Sequence, residues 1–219
     1  MPISHHVFLT GATGYLGRAL TTALLQGGHT VRALVRPGSA LRLPGRVAPI
    51  IGDALDSRTY ADQVAPADTL VHLVGVAHPG PTKAALFQTV DLASAREAVR
   101  AALAGQVEHF VYVSVAHPAP VMQAYWKARV EAESLIDTAQ MSATILRPWY
   151  VLGPGHRWPL VLKPLYWMAE RIPGTRETAR RLGLVTLSQM IEALVWAVEN
   201  PANGTRILDV PAIRHGSGA

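Results

Sequence analysis

An α/β fold built on one doubly wound parallel sheet is predicted by three features of this sequence. Strand-like and helix-like stretches alternate from end to end. Several strand candidates are near-continuous apolar runs, such as Leu70-Val71-His72-Leu73-Val74, which suit strands covered on both faces. The first strand joins the first helix through Gly11, Gly14 and Gly17, three glycines spaced three apart. Right-handed crossovers then bring the C-terminal end of every strand to one edge, where sheets of this kind bind ligands.

Residues 7–10 supply the first buried strand, and Gly11 permits the tight turn that follows. Gly14 lets backbone N–H groups approach a pyrophosphate, and Gly17 lets the helix over residues 15–25 lie close to the sheet with its positive end toward the phosphates. A second strand over residues 30–35 follows the Gly27-Gly28 stop and ends in Arg36, where a fold that holds the ribose of NAD would carry a carboxylate. A planar guanidinium there suits a 2′-phosphate, and Ser39 in the Pro37-Gly38-Ser39 turn could assist. The other use of Arg36 is an ordinary solvated strand end. NADP is the expected cofactor, ahead of NAD.

A third strand over residues 47–53 ends in Asp53, placed either to meet an adenine amino group or to cap a helix over residues 57–64. The fourth strand is expected at 69–75, a helix at 90–104 closed by Gly105, the fifth strand at 107–114, a long helix at 125–139 and the sixth strand at 143–148. From Gly153 the composition shifts to proline, tryptophan and arginine, which marks a substrate-side appendage. Pro164 and a single lysine make the apolar run 160–168 a pocket lid or subunit contact rather than a membrane-surface helix. A helix over 187–199 and a last strand over 205–210 follow. The expected organisation is a dinucleotide-binding region at 1–152 and a small integrated region at 153–219, together one structural domain.

With 219 residues, 49% of them hydrophobic and 16% charged, the chain can bury one large core. It has no cysteine, which excludes disulfides and thiolate chemistry and makes the cytoplasm the expected location. No leader is expected before the first strand, and no apolar run approaches the roughly 20 residues of a membrane span. The net charge of +5, carried by 17 arginines against 3 lysines, fits an anionic cofactor. The arginines are scattered without interleaved aromatics, so nucleic acid is not an expected partner. The expected partners are a small-molecule substrate and a second copy of the chain in a homodimer.

The chain resembles the short-chain dehydrogenase/reductase superfamily, in particular extended and atypical members such as NAD-dependent epimerase/dehydratase and NmrA-like proteins. The resemblance lies in Thr10-Gly11-Ala12-Thr13-Gly14-Tyr15-Leu16-Gly17, Gly52-Asp53, Val111-Tyr112-Val113-Ser114, Tyr125 with Arg129 and Glu133, and Arg147-Pro148-Trp149-Tyr150-Val151-Leu152-Gly153-Pro154-Gly155. It implies a Rossmann-type sheet and a Tyr-x-x-x-Lys pair, in which the tyrosine exchanges a proton with the substrate oxygen while the lysine tunes it and holds ribose hydroxyls. Tyr125 fits the first role. Arg129, on the same helix face four residues on, stands in the lysine's place, whereas Lys127 points elsewhere. Arginine keeps the charge but not the compact ammonium. Ser114 is the only hydroxyl at the end of the fifth strand, earlier than many family members carry theirs, with Val115 and Ala116 at the later positions. A packing role for Tyr125 at the helix start stays open, and the chain is shorter than a full extended member.

The expected cofactor contacts are Gly11, Thr13, Gly14, Tyr15, Leu16 and Gly17, then Arg36, Asp53 and Ala54, then Val74 and Gly75, and last Pro148, Tyr150 and Val151. Three histidines follow strand ends: His78 and His117 in the near-copies Val74-Gly75-Val76-Ala77-His78-Pro79 and Val113-Ser114-Val115-Ala116-His117-Pro118, and His156 after the sixth strand. They and Trp158 are candidate substrate contacts; the histidines are otherwise loop residues. No cysteine or close carboxylate completes a metal set, so no metal is expected. Two functions remain: an NAD(P)-dependent oxidoreductase or epimerase/dehydratase acting on a small carbonyl or alcohol, and a non-catalytic NADP-binding redox sensor or assembly factor. The arginine in place of lysine and the missing later hydroxyl favour the second, the intact cradle and the polar, aromatic-lined exit loop suit both, and the enzyme is the expected function.

Overall fold

The computed structural model describes residues 4–77, 79–117, 122–154 and 182–216. Apolar runs that suit cover on both faces become the inner strands of one parallel sheet, β1 (His6–Thr10), β2 (Thr30–Val35), β4 (Thr69–His72), β5 (His109–Val113) and β6 (Ala143–Leu146), while the more exposed β3 (Ala48–Ile51) and β9 (Thr205–Leu208) form its edges. Their order is β3-β2-β1-β4-β5-β6-β9. The doubly wound sheet is thus as predicted, with a seventh strand drawn from the far C-terminal stretch.

Side chains alternate across the strands and split the core in two. Phe8, Leu70, Phe110, Tyr112 and Ile145 face one side, where α3 (Ala93–Ala104) and α4 (Gln123–Thr138) bury Ala95, Ala98, Ala128, Ala132 and Ile136. Val7, Leu9, Val71, Val111 and Leu146 face the other, beneath α1 (Tyr15–Gln26) and α5 (Leu187–Glu199). Gly17, Leu20, Thr21 and Leu24 form the buried stripe of α1, spaced as one helical face requires. Gly27 and Gly28 end it, with Gly28 at φ +83°.

Four local expectations differ from the structure. The stretch 57–64 forms two single 3₁₀ turns, Ser57–Thr59 and Ala61–Gln63. Local side-chain bonds compete with the helix there: Asp56 accepts from the Arg58 backbone N at 3.2 Å, and Thr59 Oγ1 donates to the Asp56 carbonyl at 2.7 Å. The cap is therefore Asp56, not Asp53. The helix expected at 90–104 begins earlier, with one turn α2 (Ala84–Leu86) and a wide π turn over Phe87–Leu92 before α3. Strands β7 (Tyr150–Leu152) and β8 (Leu184–Thr186) pair in parallel as a separate small sheet that the sequence did not reveal. The final strand stops at Leu208, because Asp209 caps α6 (Val210–His215), accepting from Ala212 N at 3.1 Å with Pro211 in the first turn. Among the described residues no helix is long and apolar enough to cross a membrane.

Candidate functional site

A cleft of about 370 Å³ opens at the C-terminal ends of β1 to β4. Gly11, Thr13 and Gly14 form its floor. Gly11 sits at φ +78°, and a Cβ there would lie 2.8 Å from the Leu73 carbonyl carbon, so both conformation and space exclude a side chain. Gly14 N donates to the Gly11 carbonyl at 3.0 Å, closing the turn, and Arg18 Nε donates to the Thr13 carbonyl at 3.1 Å. Among the described residues no side chain caps the start of α1, which leaves its first N–H groups available to a ligand. Gly17 lies outside the lining; a Cβ on it would collide with the Gly11 carbonyl and the Ala12 backbone, so its role is to let α1 close onto the turn.

The opposite rim carries Arg36 and Ser39, joined by a turn in which Ser39 N donates to the Arg36 carbonyl at 3.0 Å. Asp53, Ala54 and Leu55 follow β3, and the Asp53 carboxylate accepts from Leu55 N at 2.9 Å. Leu73, Val74, Gly75 and Val90 make the β4-side wall. An anion-binding helix start, a close backbone turn, a guanidinium and a carboxylate around one cleft match the chemical parts of a dinucleotide. Leu34, Val35, Gly52, Leu55, Leu73 and Val90 also line it but were not among the expected contacts; all but Val90 lie within a few residues of one that was.

The remaining expected contacts lie elsewhere. Tyr15 packs its hydroxyl against Gly153, where any Cβ would overlap it, and burial pushes that hydroxyl pKa up. Leu16 and Val151 pack on the α1/α5 core. The Pro148 carbonyl accepts from Ala116 N at 2.9 Å, and Tyr150 meets Trp149 edge-on at 5.3 Å between centroids.

Tyr125 stands half-buried in the first turn of α4, its ring meeting Phe87 at 5.1 Å in an edge contact. Arg129, one turn later, is 7% exposed. Its Nη2 donates to Asp91 Oδ1 at 2.5 Å, and its Nη1 donates to the Tyr112 hydroxyl at 3.2 Å and the Val113 carbonyl at 2.9 Å. The guanidinium carbon lies 5.1 Å from the Tyr125 ring centroid, so its charge meets that ring's face while the hydroxyl it bonds is Tyr112's. Burial alone would draw the guanidinium pKa down, but Tyr112, Tyr125 and Asp91 outweigh it and hold Arg129 charged. Burial pushes the Tyr112 hydroxyl up to about 12 and the Asp91 carboxyl above its ordinary value, the latter against the pull of Arg129.

Ser114 is buried, its backbone N donating to the Leu146 carbonyl at 2.7 Å, and its hydroxyl has no hydrogen-bond partner among the described residues. Behind this group His72 is held between Thr10 Oγ1 at 2.8 Å and Ser94 Oγ at 3.3 Å, and burial lowers its pKa to about 3, so the imidazole is neutral. His117 Nε2 lies 3.8 Å from Glu133 Oε2, a carboxylate that also takes Arg147 Nη2 at 2.5 Å. His78, His156 and Trp158 fall outside the described residues. Among the described residues no group of three histidines or carboxylates could hold a metal ion. Asp91, Tyr112 and His72 escaped the sequence reading; the available signal was a lone acid and a lone histidine inside otherwise apolar stretches.

Residues 11–157 match the model of a family described as NAD(P)H-binding. The ceramide reductase of Caulobacter vibrioides is 29% identical over 200 residues, covering 90% of this chain and 62% of that protein. A ketoreductase of a farnesyl-bearing dihydroquinoline oxide from Stigmatella aurantiaca is 27% identical over 168 residues, covering 67% and 50%. The chain thus spans between half and two thirds of the length of these two relatives. A short-chain dehydrogenase/reductase superfamily protein from Agrobacterium tumefaciens, solved with NAD, superposes with a TM-score of 0.68 at 21% identity, covering 94% of this chain and 77% of that one. At that identity the likeness is one of fold.

Proposed function

Because the chain belongs to the family described as NAD(P)H-binding, we propose that it is an NADP-dependent oxidoreductase of the short-chain dehydrogenase/reductase kind, acting on a carbonyl or hydroxyl group of a small molecule. The observation that carries this reading is the single cleft that gathers Gly11, Gly14, Arg36, Ser39 and Asp53. A bound nicotinamide cofactor supplies or accepts the hydride. The Gly11–Gly14 turn and the open start of α1 hold its pyrophosphate, Arg36 and Ser39 take a 2′-phosphate, and Asp53 meets the adenine side. Tyr125 exchanges a proton between its hydroxyl and the substrate oxygen, and Arg129 keeps a positive charge behind its ring. Ser114, whose buried hydroxyl has no hydrogen-bond partner among the described residues, is the second group proposed to meet that oxygen. His117, whose Nε2 lies 3.8 Å from Glu133 Oε2, is a further proposed substrate contact. The names of both relatives, a ceramide reductase and a ketoreductase, support a reductase, with hydride going to a carbonyl carbon and a proton to its oxygen.

One observation favours a second reading, a redox sensor or assembly factor that binds NADP without turnover. Arg129 is buried and three of its five N–H donors already go to Asp91, Tyr112 and Val113, so it is less available to a ribose than the lysine of the resemblance would be. The test is NADPH consumption over a panel of ketones, aldehydes and quinones, with NADPH binding followed by calorimetry. Turnover above the substrate-free rate is the expected result; tight binding with no turnover across the panel selects the sensor.

A further inference from the structure

The wall of the cleft on the β4 side is one residue thick at Gly75, and a buried ion pair stands directly behind it. Gly75 carries no left-handed φ, so nothing in its backbone conformation demands glycine. Space does: a Cβ would lie 2.5 Å from Arg129 Nη2 and 3.1 Å from Asp91 Oδ1. The front of the same residue lines the cleft together with Val74.

Asp91 reaches this place through the π turn Phe87–Leu92. No glycine or proline interrupts residues 82–104, so no helix breaker explains the wide turn. What the turn does is present one carboxylate in two directions. Oδ2 accepts from Val76 N at 2.9 Å, clamping the loop that continues the wall, while Oδ1 takes Arg129. Arg129 in turn grips the end of β5 through the Val113 carbonyl and the Tyr112 hydroxyl. Val90, the neighbour of Asp91 in the π turn, is itself part of the wall. The pair is almost wholly buried, with Asp91 at 1% and Arg129 at 7% exposure, so removing either partner strands a charge in the core.

We propose that Asp91 and Arg129 are positioning residues that set the β4-side wall of the dinucleotide cleft, and that position 75 is glycine because the guanidinium occupies the space its side chain would need. The proposal rests on the dinucleotide reading of the cleft but not on turnover. It differs from the part played by Arg36, which discriminates between dinucleotides; a wall moves all of them alike.

The test is a double-mutant cycle of Gly75→Ala and Arg129→Lys, read by NADPH and NADH affinity and by thermal melting without ligand. Gly75→Ala is expected to weaken both dinucleotides by about 10-fold, as overpacking against a rigid guanidinium does. Lysine has no second terminal nitrogen at that point, so the double variant is expected to recover to within about 3-fold of Arg129→Lys alone. If Gly75→Ala does not fold, recovery of folding in the double variant carries the same evidence. Normal binding by Gly75→Ala, strictly additive losses, or no recovery overturns the interlock. Asp91→Asn provides the second readout: NADPH and NADH affinities should fall by the same factor, and a changed NADPH/NADH preference would overturn the wall assignment. A parent chain that binds neither dinucleotide overturns the proposed function and this inference together, whereas a binding parent with additive losses overturns this inference alone.

Discussion

Along the C-terminal edge, the side from β1 to β3 works with backbone groups and exposed side chains, whereas the side from β4 to β6 works with side chains buried in pairs. Gly11, Gly14, Arg36 and Asp53 stand open on the first side. Asp91, Arg129, Tyr112 and His72 are closed into the second. Open groups recognise a ligand at little internal expense, because water satisfies them until it arrives. Buried charges must be matched by the protein itself, so each partner constrains the next. The contrast teaches that the first side should tolerate changes in selectivity and the second only changes made in compensating pairs.

The largest expected effect breaks the open side. Gly14 faces the cleft, and a Cβ there already lies 3.1 Å from the Gly11 carbonyl. Gly14→Val is expected to weaken dinucleotide binding by about 100-fold or more while circular dichroism reports an intact sheet, since the branched side chain fills the approach to the backbone N–H groups. Near-normal calorimetric affinity would remove the cradle from the account.

Next in size comes Tyr125→Phe, which separates the two sides. Loss of proton transfer should lower turnover by about 100-fold with dinucleotide affinity near the parent value. Full activity would make the tyrosine a packing residue against Phe87. A smaller effect is expected at Arg36→Glu, which exchanges a phosphate-binding fork for a carboxylate suited to ribose hydroxyls. Competition binding should show NADPH favoured by about 10-fold in the parent and NADH favoured in the variant. Equal affinities in the parent would sink the NADP assignment.

The smallest effect belongs to the closed side alone. His72 has a folded pKa of about 3, below the ordinary value of 6.5, and His109 has one of about 4, both because burial disfavours the imidazolium. Between those values the unfolded chain binds protons that the folded chain refuses, so stability is present above pH 6.5 and is lost as pH falls. Each fully buried histidine is expected to cost about 1 kcal/mol per pH unit in that window. Urea unfolding at several pH values checks this, and His72→Asn should flatten the slope; an unchanged slope would mean the imidazole is not kept neutral in the folded state.

The same division explains what could be read before the structure. The open side is written in consecutive residues: a turn from Gly11 to Gly17 and a strand end at Arg36 each declare themselves locally. The closed side is assembled from positions far apart, with Arg129 meeting Asp91 across 38 residues and Tyr112 across 17. Helical spacing correctly put Arg129 on the face of Tyr125, yet spacing cannot tell which acid a buried guanidinium will find. His72 looked like one more residue of an apolar strand, because its partners Thr10 and Ser94 come from two other elements. The two 3₁₀ turns after Asp56 were missed for a different reason, since side-chain bonds within four residues outcompeted a weak helical pattern.

The small sheet of β7 and β8 has an architectural consequence. Two three-residue strands in register, Tyr150 opposite Leu184 and Leu152 opposite Thr186, bring the two ends of a long connection side by side. Directly after β8, a capping box between Thr186 and Gln189 starts α5, which packs on the main core. The connection from 153 to 183 is thereby fastened at both ends to a frame that does not depend on its length. Lengthening a segment whose two ends are already held costs only the closure entropy, which grows with the logarithm of length. Inserting residues between Leu152 and Leu184 is therefore expected to leave the seven-stranded sheet folded, which thermal melting of such variants checks.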